Sequence, residues 1–220
     1  MPLTVPTHPA AVLPLKLWRP RWFDGVALAV GSTAPDLAYA LDGSGLPVWP
    51  LSHQVRGLML WCLPVTLVVT WLIRLAAPVL APHLPAFGPL ALRDYGSLGG
   101  RPHRWAVTCY SALLAAASHL VLDALENLSS TAEYAGHLLG AAGLLAVLAT
   151  IGRHRLLRRW HGEPPAIRSR PVLFWAVAAG VTLPLVAAAL FLPAVFLVHT
   201  TAVRLFCTAA AALLLATLAV

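Results

Sequence analysis

Apolar residues in this chain come in long unbroken runs separated by short polar turns. Four runs, roughly 57–80, 105–126, 171–198 and 200–220, lie near the ~20 residues a helix needs to cross a hydrocarbon core of about 30 Å. A fifth, Tyr134 to Ile151, is shorter but uninterrupted. The run from Asp24 to Leu41 (DGVALAVGSTAPDLAYAL) is only moderately apolar, and Pro35 and Asp36 break its middle. It crosses or it re-enters. Re-entry is favoured, because Pro35 removes a helix hydrogen bond and Asp36 is costly against lipid, while both are tolerated where backbone lines a polar cavity. The pattern predicts an all-α, polytopic membrane helix bundle of five or six spans, five if the N-terminal segment is re-entrant.

Composition places this bundle in a membrane. The 220 residues are 59% hydrophobic and 10% charged, against about 25% charged in a soluble domain. A multi-pass protein of the cell membrane is expected. Behind the +7 charge, fourteen of the fifteen basic residues are arginines, and these cluster outside the apolar runs apart from Arg74 and Arg204. The charge therefore reads as a topology signal and as contact with membrane lipids, not as nucleic-acid binding, and no feature names a protein partner or an oligomeric state. The 152–170 loop, GRHRLLRRWHGEPPAIRSR, is the most basic stretch and should be cytoplasmic. Counting back, the 129–133 turn is external, the 93–104 linker cytoplasmic and the 43–56 loop external. The opening MPLTVPTHPAAVLPLKLWRPRW has its basic residues after a proline-broken start, the wrong order for a cleaved signal peptide, so it is expected to be retained.

Several polar and aromatic residues have ordinary readings. Trp49, Trp61, Trp71, Trp105, Trp160 and Trp175 are expected at headgroup level. His83 and His103 fall in a Pro- and Gly-rich linker, 81–104, and should be solvated. His154 and His161 belong to the basic loop, and His199 and Arg204 should snorkel at the turn between the last two spans. Cys62, Cys109 and Cys207 sit in apolar segments without disulfide or zinc-ribbon spacing, so they read as small buried hydrophobes.

One stretch resists that treatment. ASHLVLDALEN, residues 117–127, places His119, Asp123 and Glu126 in an otherwise apolar helix, where each ionised residue costs on the order of 2.5–3.5 kcal/mol and needs a partner. His119 and Asp123 are four apart and share a face, with Asn127 continuing the stripe. A His–Asp hydrogen bond inside the bundle would satisfy both. Yet under the arginine topology His53 precedes the second apolar run at its external end, His137 lies just inside the external start of the next helix, and Asp123 is near the external end of its own. Imidazole and carboxylate suit zinc and other divalent first-row ions. His53, His119, Asp123 and His137 could supply a site, and Asp36 could reach the same cavity by re-entry. By spacing alone, His8 in TVPTHPAAVLP reads as a solvated loop histidine.

The blocks TVPTHPAAVLPL, GSTAPDLAYAL, SHQVRGLMLWCLP and ASHLVLDAL, in that order, resemble a bacterial membrane family known as domain-of-unknown-function 4184, over about residues 1–155. The later AEYAGHLLGAAGLL is similar to that family's last recurring block. The family is in turn similar in motif style to a broader group of membrane-bound metal-dependent hydrolases, with an early TH, a PD and an SHLxxD helix. Residue by residue, the resemblance implies a metal set of His8, Asp36, His53, His119, Asp123 and His137. Two departures are evident. Leu125, Glu126 and Asn127 stand where relatives carry an aromatic and a Thr-His pair, and Gln54 follows His53 where a serine is usual.

The expected organisation is a membrane domain at 1–155 carrying the polar site, a basic cytoplasmic loop at 156–170 and a C-terminal helical hairpin at 171–220. The expected function is metal-dependent hydrolysis of a lipid-borne or envelope ester or phosphoester, with a divalent ion such as zinc activating water. Asp36 and Asp123 are the catalytic carboxylates, Asp36 as ligand or general base, and His8 adds a ligand or an outer partner. The alternative is a non-enzymatic transporter or accessory protein whose His/Asp cluster relays protons or holds structure.

Overall fold

The computed structural model describes residues 7–126 and 128–220, the side chains of Ala132 and Glu133 excepted; Asn127 lies outside the described residues. Among the described residues there is helix and turn but no strand. The elements are α1 (Thr7–Trp18), α2 (Gly25–Gly31), α3 (Ala34–Leu37), α4 (Val48–Ser52), α5 (Val55–Gly57), α6 (Leu63–Leu80), α7 (Trp105–Glu126), α8 (Ser130–Arg153), α9 (Leu156–His161), α10 (Pro171–Leu190) and α11 (Val198–Thr217). A π-helical turn at Leu58–Cys62 joins α5 to α6. Pro64 has no N–H to offer the Leu60 carbonyl one turn back, so the hydrogen-bond ladder is respaced where it begins.

Five stretches are long and apolar enough to cross a membrane: Val55–His83, Trp105–Glu126, Tyr134–Arg153, Pro171–Leu190 and Val198–Thr217. They match the expected runs with one difference. The helix expected over 171–198 stops at Leu190, and Pro193 and a left-handed Ala194 (φ 62°) turn the chain before α11. That turn is as apolar as the helices it joins, so hydropathy does not mark it.

The N-terminal segment goes in and comes back. The α1 helix has 12 residues and α2 has 7, about 18 Å and 10 Å at 1.5 Å per residue, both short of a bilayer core. They form a hairpin whose tip, residues 19–24, is closed from both sides. Lys16 Nζ donates to the carbonyls of Pro20 (2.7 Å) and Phe23 (3.0 Å), and Asp24 caps α2 by accepting from the N–H groups of Val26 and Ala27. Opposite the tip, His8 and Asp36 return to the same end of the bundle, beside His119 and Asp123, so the segment enters and leaves the bundle on one side. The α1 limb packs on α8 and the α2 limb on α7. Val12, Leu13, Leu28, Ala115 and Val147 form the core between them.

Close approach is what admits the hairpin. A Cβ on Gly31 would stand 2.7 Å from the Ala112 carbonyl oxygen and 3.1 Å from Ala112 Cα, backbone that cannot give way. At the far side of the bundle α10 and α11 pair with each other, and Phe174, Ala178 and Ala216 join them to Leu80.

Four side chains depart from their expected surface roles. His83 is buried, stacks on Phe174 with ring centroids 4.5 Å apart, and accepts the Arg170 N–H at 3.0 Å, so it fixes the start of α10. His103 pairs with Lys16 Nζ at 2.8 Å, and the buried His161 ring bonds the Arg101 carbonyl at 2.9 Å. Arg204 does not snorkel; it is buried and donates to the carbonyls of Ala40, Asp42 and Pro193, tying α11 to the loop after α3. Trp71 lies in mid-α6 and not at its end. Cys62 is buried, Cys109 and Cys207 are half-buried, and all three are free thiols.

The Gly31 contact generates a test. Replacing Gly31 with alanine should destabilise the protein by about 1–3 kcal/mol through overpacking, read as a lower thermal midpoint in detergent. An unchanged midpoint would show that α2 and α7 are not in this register.

Candidate metal centre

At the open end of the hairpin, His119 and His53 are each placed by a local break in a helix. In an unbroken α2 the Ser32 carbonyl would accept from the N–H of Asp36. Pro35 prevents that continuation, and the Asp36 N–H bonds Thr33 O instead, at 3.1 Å. The released Ser32 carbonyl faces His119 Nδ1 at 2.7 Å. Because a carbonyl only accepts, Nδ1 carries a proton, and Nε2 is the ring nitrogen turned to the cluster. His53 follows the last residue of α4. The Ser52 hydroxyl donates its single proton to Trp49 O at 2.9 Å, so it accepts from His53 Nδ1, also at 2.9 Å. His53 Nε2 is likewise left turned to the cluster.

These nitrogens face carboxylates. His119 Nε2 is 3.3 Å from Asp123 Oδ2 and 3.4 Å from Asp36 Oδ1; His53 Nε2 is 3.6 Å and 3.4 Å from the same two oxygens. His8 Nε2 lies 3.5 Å from Asp123 Oδ1, and the His8 ring stacks on His119 with centroids 3.8 Å apart. Both His53 Nε2 and His119 Nε2 are buried without a hydrogen bond. A charge-assisted hydrogen bond would draw nitrogen and oxygen to about 2.7–2.9 Å. Ligand atoms that share a tetrahedral ion at about 2.0–2.2 Å stand about 3.3–3.6 Å from one another, which is the spacing found here.

The ligand atoms of His8, Asp36 and His119 lie within 4.8 Å of one another, and so do those of His53, His119 and Asp123. These residues could hold a divalent ion: imidazole nitrogens and two carboxylates are the donors that suit it. Access is one-sided. The side chains of His8 and His119 are 0% exposed, while those of His53, Asp36 and Asp123 are 15%, 16% and 19% exposed. Tyr39 and Trp49 flank His53 on the open side, with ring centroids 5.8 Å and 6.2 Å from it.

Of the six residues expected at the site, the structure brings five together. His137 stands in α8 and is not among the side chains whose ligand atoms converge. Glu126 is buried beside Gly136 rather than at the cluster. Sequence reasoning missed Ser32 and Ser52, which orient the two imidazoles. Ser52 had a readable signal, a hydroxyl next to a histidine. Ser32 acts through its backbone and leaves no signal of its own.

If the pair is one unit, removing either partner strands the other. His119→Ala and Asp123→Ala should each cost about 3–5 kcal/mol, and the double variant should cost at least 0.5–3 kcal/mol less than their sum. Strict additivity in thermal or denaturant unfolding would show that the two do not share a partner.

The family described as "Domain of unknown function (DUF4184)" matches residues 1–127, which contain His8, Asp36, His53, His119 and Asp123 but not His137. No curated protein and no solved structure matches the chain. With that match over more than half of its length, the chain belongs to the DUF4184 family.

Proposed function

We propose that this protein is a multi-pass protein of the cell membrane whose His8, Asp36, His53, His119 and Asp123 hold a divalent metal ion and use it to hydrolyse an ester or phosphoester on a lipid or envelope molecule. The observation that carries the metal reading is the pair of buried Nε2 atoms, on His53 and His119, that face two carboxylates at 3.4 Å and 3.3 Å without a hydrogen bond. A metal ion between them would satisfy both. The hydrolytic part rests on the resemblance in motifs to membrane-bound metal-dependent hydrolases and on the open side at Asp36, Asp123 and His53.

When bound, the ion supplies Lewis acidity toward a substrate oxygen and the activation of water at neutral pH. The chain's residues divide the remaining work. His8 and His119 seal the inner wall and exclude lipid and water. Ser32 and Ser52 hold the imidazole tautomers. Asp36, on the short α3 helix at the open side, is the carboxylate best placed to take a proton from water. Tyr39 and Trp49 give that side an aromatic wall.

Orientation follows from charge. All fifteen lysines and arginines but Arg56 and Arg204 lie in α1, the hairpin tip, the 84–104 linker or the 153–170 region, or, for Arg74, against the tip at Asp24, and these gather at the end opposite the site. The positive-inside rule then puts the site outside. Reporter fusions after Arg159 and after Ser130 should read opposite sides, cytoplasmic and external; the same reading at both would reject the external site.

The metal reading has a direct measurement. Protein purified in detergent without chelator should carry about one equivalent of zinc or manganese and cleave at least one member of a panel of phospho- and carboxylic-ester lipids. His53→Ala and His119→Ala should lose both properties. A fully folded, metal-free wild type that also fails to take up added ion would instead support a structural or proton-sharing cluster.

A further inference from the structure

A second polar group lies at the hairpin tip, at the opposite end of the bundle. Lys16, 2% exposed, spends its three donors on Pro20 O, Phe23 O and His103 Nε2. His103 therefore accepts and is neutral; burial, with Lys16 beside it, pulls its pKa down to about 4. Burial also lowers the Lys16 ammonium to about 8, which leaves it charged at neutral pH. Asp24 is saturated, accepting from Val26 N and Ala27 N on one oxygen and from Arg74 and Thr108 Oγ1 on the other. Asp24 pairs with Arg74, while Lys16 bonds only carbonyls and His103, so the group keeps a net charge of about +1 away from bulk water.

That excess charge adjoins a cavity of about 320 Å³ between α6, α7 and residues 98–103. Thr70 and Arg74, one turn apart on α6, line it together with His103 and Thr108. Thr70 is 2% exposed, and neither its Oγ1 nor Arg74 Nε has a hydrogen-bond partner. A guanidinium and a hydroxyl with hydrogen-bonding capacity left over, on residues lining a cavity beside surplus positive charge, suit an oxyanion. The mouth is apolar and aromatic. Trp71, Leu75 and Trp105 line it and are themselves largely exposed on the bundle's outer surface.

We propose that this cavity binds a phosphate oxyanion, carried by the headgroup of an anionic membrane lipid. The Arg-rich end attracts anionic headgroups from a distance, basic pockets between helices on the cytoplasmic side suit them, and an aromatic mouth open to lipid admits a headgroup whose chains stay in the bilayer. The site is separate from the metal centre, and its placement at the cytoplasmic leaflet rests on the orientation proposed above.

The test uses the full chain in detergent, titrated with dioleoylphosphatidylglycerol by native mass spectrometry, with dioleoylphosphatidylcholine and inorganic phosphate as separate arms. Phosphatidylglycerol should bind at one saturable site at least tenfold more tightly than phosphatidylcholine. Thr70→Val, which keeps shape and deletes the hydroxyl, should weaken it at least threefold, and Arg74→Gln at least tenfold; Arg56→Gln, at the other end, should leave it unchanged. If Arg74→Gln does not fold, Thr70→Val decides. Displacement of the lipid by millimolar phosphate would support recognition of the oxyanion itself, and saturable binding of phosphate with no lipid preference would overturn the headgroup as its source. Equal binding of the two lipids, or phosphatidylglycerol binding unchanged in Thr70→Val, overturns the proposal.

Discussion

Two carboxylates held against two imidazoles in a helix bundle call for a positive charge between them, which the proposed metal ion would supply. Asp36 and Asp123 lie 3.3–3.6 Å from the Nε2 atoms of His53 and His119, whose Nδ1 atoms are engaged on the other side of each ring. Much of the architecture at this end is a means of holding that arrangement. Pro35 breaks the chain after α2 so that a backbone carbonyl turns to His119. The close contact at Gly31 lets α2 lie against α7 so that the carbonyl reaches. The re-entrant hairpin brings His8 back to Asp123.

The hairpin also connects the two ends of the molecule. Its open end contributes His8 and Asp36 to one polar group, and its tip contributes Lys16 and Asp24 to another. Neither limb is long enough to cross, and together they pack a polar wedge among α6, α7 and α8, where helices of this hydropathy would otherwise meet through alanine and leucine alone. Polar side chains inside such a bundle are tolerated because each finds partners on neighbouring elements. Arg204 and His83 do the same for the C-terminal helices, one bonding three carbonyls and the other stacking on Phe174.

Much of this was legible in the sequence, and the reasons for the exceptions are physical. Run length and hydropathy located five long helices because the cost of placing backbone in lipid is nearly independent of tertiary detail. The i, i+4 spacing put His119 and Asp123 on one face, and the Pro35–Asp36 break favoured re-entry over crossing. His8 came only from the family resemblance, since nothing in THPAAVLP marks a histidine that stacks on another ring 111 positions later (119 − 8). Hidden from sequence were the pairings that depend on which helix meets which. Lys16 with His103, His161 with Arg101 and Arg204 with the 40–42 carbonyls looked like surface groups because burial by a distant element leaves no local trace. The turn at 191–197 was hidden for a different reason, its residues being as apolar as the helices it separates.

The central claim is that a metal ion, not a proton, joins the imidazoles to the carboxylates. X-ray absorption at the zinc or manganese edge on the purified, detergent-solubilised protein, paired with ¹⁵N NMR of the histidine side chains, measures this most directly. The account predicts first-shell scattering from nitrogen and oxygen at about 2.0–2.2 Å, lost in His119→Ala, with His53 and His119 protonated at Nδ1 alone. Protein that holds no metal, with both ring nitrogens of His53 and His119 protonated at neutral pH, would contradict it.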